Sequence, residues 1–276
     1  MNKANSLTFE SPSFSRRIGG MLGVDFYRLF HTPLFYIFLC IAAIIPAMIL
    51  GTSSMPDPNT GAVNPIYTNT WQLVAASTPL YMVSDMGEYA NMNMVFIFGG
   101  IMVSIFIGND YRSGYVKQLF TTHAKKRDYM MSKTLCCAFA MVCMCVTYLI
   151  GTVAGGLFSG ASMEVNVSSL IIAIIGKMIM SLGWASLYTF LNIIFRKFFG
   201  ISIVSSFFFG TGILIIAAGA IIGNNALLNV FLYGSSVYAC LSANILTLIM
   251  CFVCSVVWTV IYNALGSYIL SRTDVY

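Results

Sequence analysis

One stretch concentrates the groups able to act in water: Gly108 to Asp128 reads GNDYRSGYVKQLFTTHAKKRD. Asp110, Arg112, Lys117 and Gln118 stand among Tyr115, Leu119 and Phe120, and the basic triplet Lys125, Lys126 and Arg127 follows. Continued to Lys133, the stretch holds six of the chain's fourteen basic residues. These residue types suit recognition, not bond making. Ser113 can cap a helix starting near Gly114. On that helix Tyr115, Leu119 and Phe120 form an apolar ridge that a groove on a partner can hold, with Arg112, Lys117 and Gln118 as its polar rim. The triplet suits headgroup level, where each basic residue contributes about 1 kcal/mol of attraction to an anionic leaflet. The plainer alternative is that these cations only set the topology.

Catalytic patterns are absent from the sequence. It has no G-x-x-x-x-G-K-[ST], so it cannot cradle a nucleotide phosphate in a P-loop. Its two histidines, His31 and His123, lie outside the apolar segments, which excludes a histidine-held metal or haem inside a membrane. No nucleophile elbow, no H-E-x-x-H and no acid within an apolar segment occurs, whereas a proton- or sodium-coupled carrier needs such an acid or a broken-helix ion site. Of eight cysteines, Cys40, Cys136, Cys137, Cys143, Cys145, Cys251 and Cys254 lie in apolar segments and Cys240 in a loop. That distribution suits small packing residues, not a disulfide framework. No cofactor is expected in this chain, and no nucleic-acid partner.

The elements that must position these groups follow from composition. In 276 residues, 58% are hydrophobic and 8% charged, with a mean hydropathy of +0.84, too little charge to cover a soluble surface. The expectation is an all-α integral membrane protein with a single transmembrane domain over residues 1–276. Six apolar runs are long enough to cross a core of about 30 Å: 33–51, 92–108, 134–157, 170–195, 200–222 and 244–270. With six spans, one side carries thirteen of the fourteen lysines and arginines, while the loops of the other hold Asp57, Asp85, Glu88 and Glu164. The positive-inside bias then places both termini in the cytoplasm, in a multi-pass protein of the cell membrane. No cleavable signal peptide is expected, because the first apolar run follows a segment bearing Arg16, Arg17, Asp25 and Arg28.

Four further segments bear on function. Over 13–32, Phe14, Ile18, Met21, Leu22, Phe26, Leu29 and Phe30 fall on one half of a helical wheel and Arg16, Arg17 and Arg28 on the other, the pattern of an interfacial helix whose cations meet headgroups; Asp25 intrudes on the apolar half. The loop 52–91, with Pro56, Pro58, Pro65 and Pro79, reads as an outer loop or small cap. Lys177 lies well inside the fourth span, where an isolated ammonium costs roughly 2.5–3.5 kcal/mol, so it either snorkels to the outer interface or lines a pathway. Between spans five and six, residues 223–243 are apolar but broken by Asn224, Asn225, Gly234, Ser235 and Ser236, as in short interfacial or re-entrant helices. Gly151/Gly155, Gly156/Gly160 and Gly219/Gly223 permit close helix contact and are weak evidence for a dimer.

The opening stretch resembles the loop between spans two and three of ABC-2 type permeases, the membrane subunits of ABC exporters. Asn109-Asp110-Tyr111-Arg112 forms the polar turn, Ser113-Gly114-Tyr115-Val116-Lys117-Gln118-Leu119-Phe120 the short helix, Lys125-Lys126-Arg127 the basic cluster and Ser132-Lys133 the entry to the next span. Family members usually have threonine where Tyr115 stands. The resemblance implies a coupling helix docked on a separate ABC ATPase, present in two copies and holding ATP and Mg²⁺, and a second permease, identical or homologous. Bacterial peptide-export and self-protection permeases look most similar, which implies an amphipathic peptide or hydrophobic toxin as substrate. A non-transporting anchor or sensor, and more remotely a secondary carrier, are the competing readings.

Overall fold

Long apolar runs with few charges leave the backbone one economical choice in lipid, the α-helix, whose amides find partners within their own segment. The computed structural model describes residues 13–53, 69–74, 92–121, 125–213, 230–241 and 244–272. The helices are α1 (Phe14–Phe30), α2 (Pro33–Ser53), α3 (Met94–Arg112), α4 (Tyr115–Thr121), α5 (Lys126–Ser159), α6 (Val167–Ile194), α7 (Phe199–Gly210), α8 (Leu232–Leu241) and α9 (Ile245–Arg272), with no strand among the described residues. Of these, α2, α3, α5, α6 and α9 are long and apolar enough to cross a membrane.

Two boundaries differ from expectation. Of the span expected over 200–222, the described part holds a 12-residue helix, α7, interrupted by a turn at Thr211-Gly212 with Gly212 at φ +67°; 214–229 lies outside the described residues. At its other end the third span begins earlier than expected, at Lys126 instead of 134, giving a 34-residue α5. The physical reason is pairing: Asp128 and Lys133 meet opposite charges within the protein, so neither needs water to remain in a helix.

Helix α5 is the hub, touching α1, α2, α3, α6 and α9. It approaches α2 closely because a Cβ on Gly151 would overlap the Ala43 carbonyl oxygen and one on Gly155 would fall 2.7 Å from Ala47 Cα. Gly151 and Gly155 therefore serve a contact within the chain, and they lend no support to a dimer. Gly160 ends α5 at φ +68°, a left-handed cap. The pair Gly219/Gly223 lies outside the described residues.

A short helix, α8, occupies the broken segment before α9. Val230 accepts from Trp258 Nε1 at 2.8 Å, and Trp258 lies thirteen residues into α9, about 20 Å along its axis at 1.5 Å per residue. Helix α8 thus lies within the bundle, packed against α6 and α9. Of the loop expected over 52–91, Asn69–Val74 is described: a capped 3₁₀ turn whose Thr70 amide donates to Ser162 O at 3.0 Å, joining it to the loop after α5. The four loop prolines and Asp57, Asp85 and Glu88 lie outside the described residues. The seven described cysteines are free thiols.

Candidate functional site

The end of the bundle where α3 stops and α5 starts collects the charges. The amphipathic wheel of α1 lays its Asp25 and Leu29 face on α5, with Phe26 edge-on to Phe139 at 5.1 Å. The last turn of α3 delivers Asp110, and Gly114, at φ +73°, turns the chain into α4. Val116 of α4 then inserts with Tyr129, Met130, Ile193 and Leu270 into a small separate core.

At the centre of this end lies Lys133, completely buried. Its Nζ donates to Asp25 Oδ1 at 2.6 Å and stands 2.6 Å from Asp110 Oδ2. Ser132 Oγ donates to the other oxygen of Asp25, also at 2.6 Å. Arg28 Nη2 approaches Asp110 Oδ1 to 2.5 Å. The contacts of Asp110 are ion pairs by distance, without the angles of good hydrogen bonds. Two carboxylates and two cations cancel, which is the condition for burying charge at tolerable cost. Burial pulls the Arg28 guanidinium down, but Asp110, with Tyr115 and Asp25 beside it, outweighs that pull and holds it above its ordinary value.

Aromatic rings wall the cluster. The Arg28 guanidinium lies 4.0 Å from the Tyr115 ring centroid, and Lys133 Nζ lies 4.7 Å from Phe106, 5.5 Å from Tyr115 and 5.7 Å from Tyr129. Burial, then the nearby Asp25, push the Tyr115 phenol above its ordinary value against the pull of Lys133 and Arg28. Tyr115 is thus the ring by which α4 is fastened to α1 and α5 at once.

This arrangement corrects several sequence expectations. Asp110 is not on a docking rim: it is fully buried, and it and Asp128 lie in helical turns beyond the expected spans 92–108 and 134–157, which themselves hold no acid. The ridge of Tyr115, Leu119 and Phe120 faces inward, with Phe120 edge-on to Tyr129 at 5.6 Å and Leu119 against the small core, because the chain supplies its own groove. Lys117, Gln118 and Thr121 form the exposed face of α4. Arg112 is exposed, its guanidinium 5.5 Å from the Phe199 ring on α7.

Among the residues assigned to headgroups, Arg16, Lys125 and Arg127 divide from Arg17 and Lys126. Arg16, Lys125 and Arg127 are exposed. Arg17 Nε instead donates to the buried Asp128 at 2.8 Å, and Lys126 Nζ donates to Leu270 O at 2.7 Å, capping the end of α9. Sequence reasoning missed Asp25, Arg28, Ser132 and Lys133 as a cluster. The available signal was the lone acid on an apolar wheel, which needs a buried cation.

Lys177 does not snorkel. It has no exposed surface; its Nζ donates to Asn93 Oδ1 at the start of α3 and to Ser236 O of α8 at 2.7 Å, 5.7 Å from the Phe96 ring. Trp184 Nε1 donates to Ser236 Oγ at 2.8 Å beside it. Helix α8 and the start of α3 bring acceptors to the buried ammonium, so it has no need to reach out of the bundle.

Comparison with known proteins finds one family. The family described as ABC-2 family transporter protein matches residues 22–195, well over half of the chain, from the Asp25 turn of α1 to the end of α6. No curated protein matches the chain.

Proposed function

The chain belongs to the ABC-2 family of transporter proteins, and from that premise we propose that it is the permease subunit of an ATP-driven exporter. Membership supports a multi-pass membrane component that works with an ABC ATPase. In the proposed assembly two permeases, identical or homologous, enclose the path and two ATPase subunits, which hold the ATP and Mg²⁺, bind at the charged end. That end, with both termini, faces the cytoplasm of a cell membrane. The cargo is an amphipathic peptide or hydrophobic toxin.

The observation that carries this reading is the attachment of α4. A seven-residue helix exposes Lys117 and Gln118 outward and fixes Tyr115 inward against a buried ion cluster drawn from α1, α3 and α5. A push on its outer face moves three helices as one body, which rocking of rigid bundles requires. No catalytic group is needed in this chain.

The test is co-purification of the full-length protein with a co-expressed ABC ATPase. Wild type should retain the ATPase, and Lys117→Glu with Gln118→Glu should release it while leaving the permease monodisperse. Retention by the double variant would remove α4 as the docking element. Retention by wild type without any peptide-stimulated ATP turnover would instead favour a non-transporting anchor.

A further inference from the structure

Between the end of α3, the end of α6 and the start of α7 lies a cavity of about 360 Å³ that the coupling role does not use. Arg112, Arg196 and Lys197 line it together with Tyr111, Asn192 and Phe199, and among the described residues no carboxylate lines it. Three basic residues therefore line one small space, with Asp110, the nearest acid in sequence, committed to Arg28 and Lys133. The Tyr111 hydroxyl, buried at the cavity, has no hydrogen-bond partner. Asn192 is already satisfied, donating to Ser104 Oγ and Tyr188 O and accepting from Ser202. The walls are fixed: a side chain on Gly108 would overlap the Phe199 ring, so glycine there lets α7 start against α3.

We propose that this cavity binds the phosphate group of an anionic glycerophospholipid. An unmatched donor hydroxyl and three cations call for an anion with several acceptor oxygens, which a phosphodiester supplies. The outside of α7 identifies the rest of the ligand. Phe198, Ile201, Val204 and Phe208 are exposed and share one face of the helix that starts at the cavity, a track on which an acyl chain lies while its headgroup sits among the cations. An inorganic phosphate has the same charge chemistry and no use for that track. The inference stands apart from the coupling role, since Arg196, Lys197 and α7 have no part in the attachment of α4.

The experiment titrates delipidated full-length protein in neutral maltoside detergent with dioleoyl phosphatidylglycerol, dioleoyl phosphatidylcholine or inorganic phosphate, counting adducts by native mass spectrometry. Wild type should take one phosphatidylglycerol per protomer, at least tenfold tighter than phosphatidylcholine. Lys197→Gln, at an exposed position that folding tolerates, should weaken it roughly fivefold, and Arg196→Gln added to it roughly fivefold again. Tyr111→Phe should weaken it with no change of charge, while Arg272→Gln, a cation that does not line the cavity, should leave it unchanged. Unaltered phosphatidylglycerol binding in Lys197→Gln and Tyr111→Phe overturns the site. Equal binding of inorganic phosphate and phosphatidylglycerol reassigns it to a free anion and overturns the lipid. Phosphatidylglycerol bound no better than phosphatidylcholine, with ATPase capture lost in Lys197→Gln, overturns it in favour of a carboxylate on the partner.

Discussion

Lys133 of α5 donates to Asp25 of α1 at 2.6 Å across 108 residues of sequence, and both side chains are buried. The same ammonium serves Asp110, so Lys133→Met would leave two buried carboxylates facing Arg28 alone. Removing one partner of a buried pair costs about 3–5 kcal/mol. Thermal unfolding of the purified variant should show a loss of that order. Asp25→Leu combined with Lys133→Met restores neutrality around Arg28 and Asp110 and should cost less than the two single changes added together.

Gly151 should tolerate no side chain. Valine there would have to displace the Ala43 backbone, and overpacking of this kind costs about 1–3 kcal/mol. A Gly151→Val variant should melt earlier, while Gly200→Ala, at an open position in α7, should not. In the proposed dimer, cross-linking yield between permease subunits should be unchanged by Gly151→Val at temperatures where the variant remains folded, because the contact lies within one chain.

Much of this fold was legible in local patterns, and what was not has a common cause. Apolar run length placed α2, α3, α6 and α9 within a few residues, and the brokenness of 223–243 announced a short helix before α9. Asp25 was visible as a misfit on its wheel, and Lys133 as part of the loop motif. Nothing in either segment says that they meet, since periodicity reports a helix's face and not its neighbour. The ridge at Tyr115, Leu119 and Phe120 was read correctly as a ridge, but an apolar stripe fits its own chain's groove as well as a partner's. Lys177 was judged by burial cost alone, before a broken helix could be seen bringing acceptors to it.

Tyr115 connects the outer face of α4 to the ion cluster through its ring. Tyr115→Phe keeps that ring over Arg28, and Tyr115→Leu loses a contact of about 0.5–2 kcal/mol. ATP turnover stimulated by the permease should survive the first change and fall with the second. The raised phenol pKa sets the sign of a pH effect. The unfolded phenol ionises near its ordinary value of 10.0, before the folded one, so this contribution to stability is intact below that pH and is lost as pH rises through the folded value. Unfolding profiles from pH 8 to 11 should show a smaller alkaline loss in Tyr115→Phe than in wild type.

Lys177 separates a structural tie from a pathway group. Its ammonium joins α6 to the start of α3 through Asn93 and to α8 through Ser236 O, and none of these partners carries a negative charge. Lys177→Met fills similar volume, removes two hydrogen bonds and also removes the cost of burying a charge. The balance is a net loss of about 1–3 kcal/mol in thermal unfolding. A tie that holds α8 in the bundle should give Asn93→Ala a smaller effect of the same sign and leave peptide-stimulated ATP turnover per folded molecule unchanged in both variants. Turnover that collapses in Lys177→Met with stability intact would place the ammonium in contact with cargo. In that case α8 must withdraw during the cycle, because in the present arrangement water does not reach Lys177.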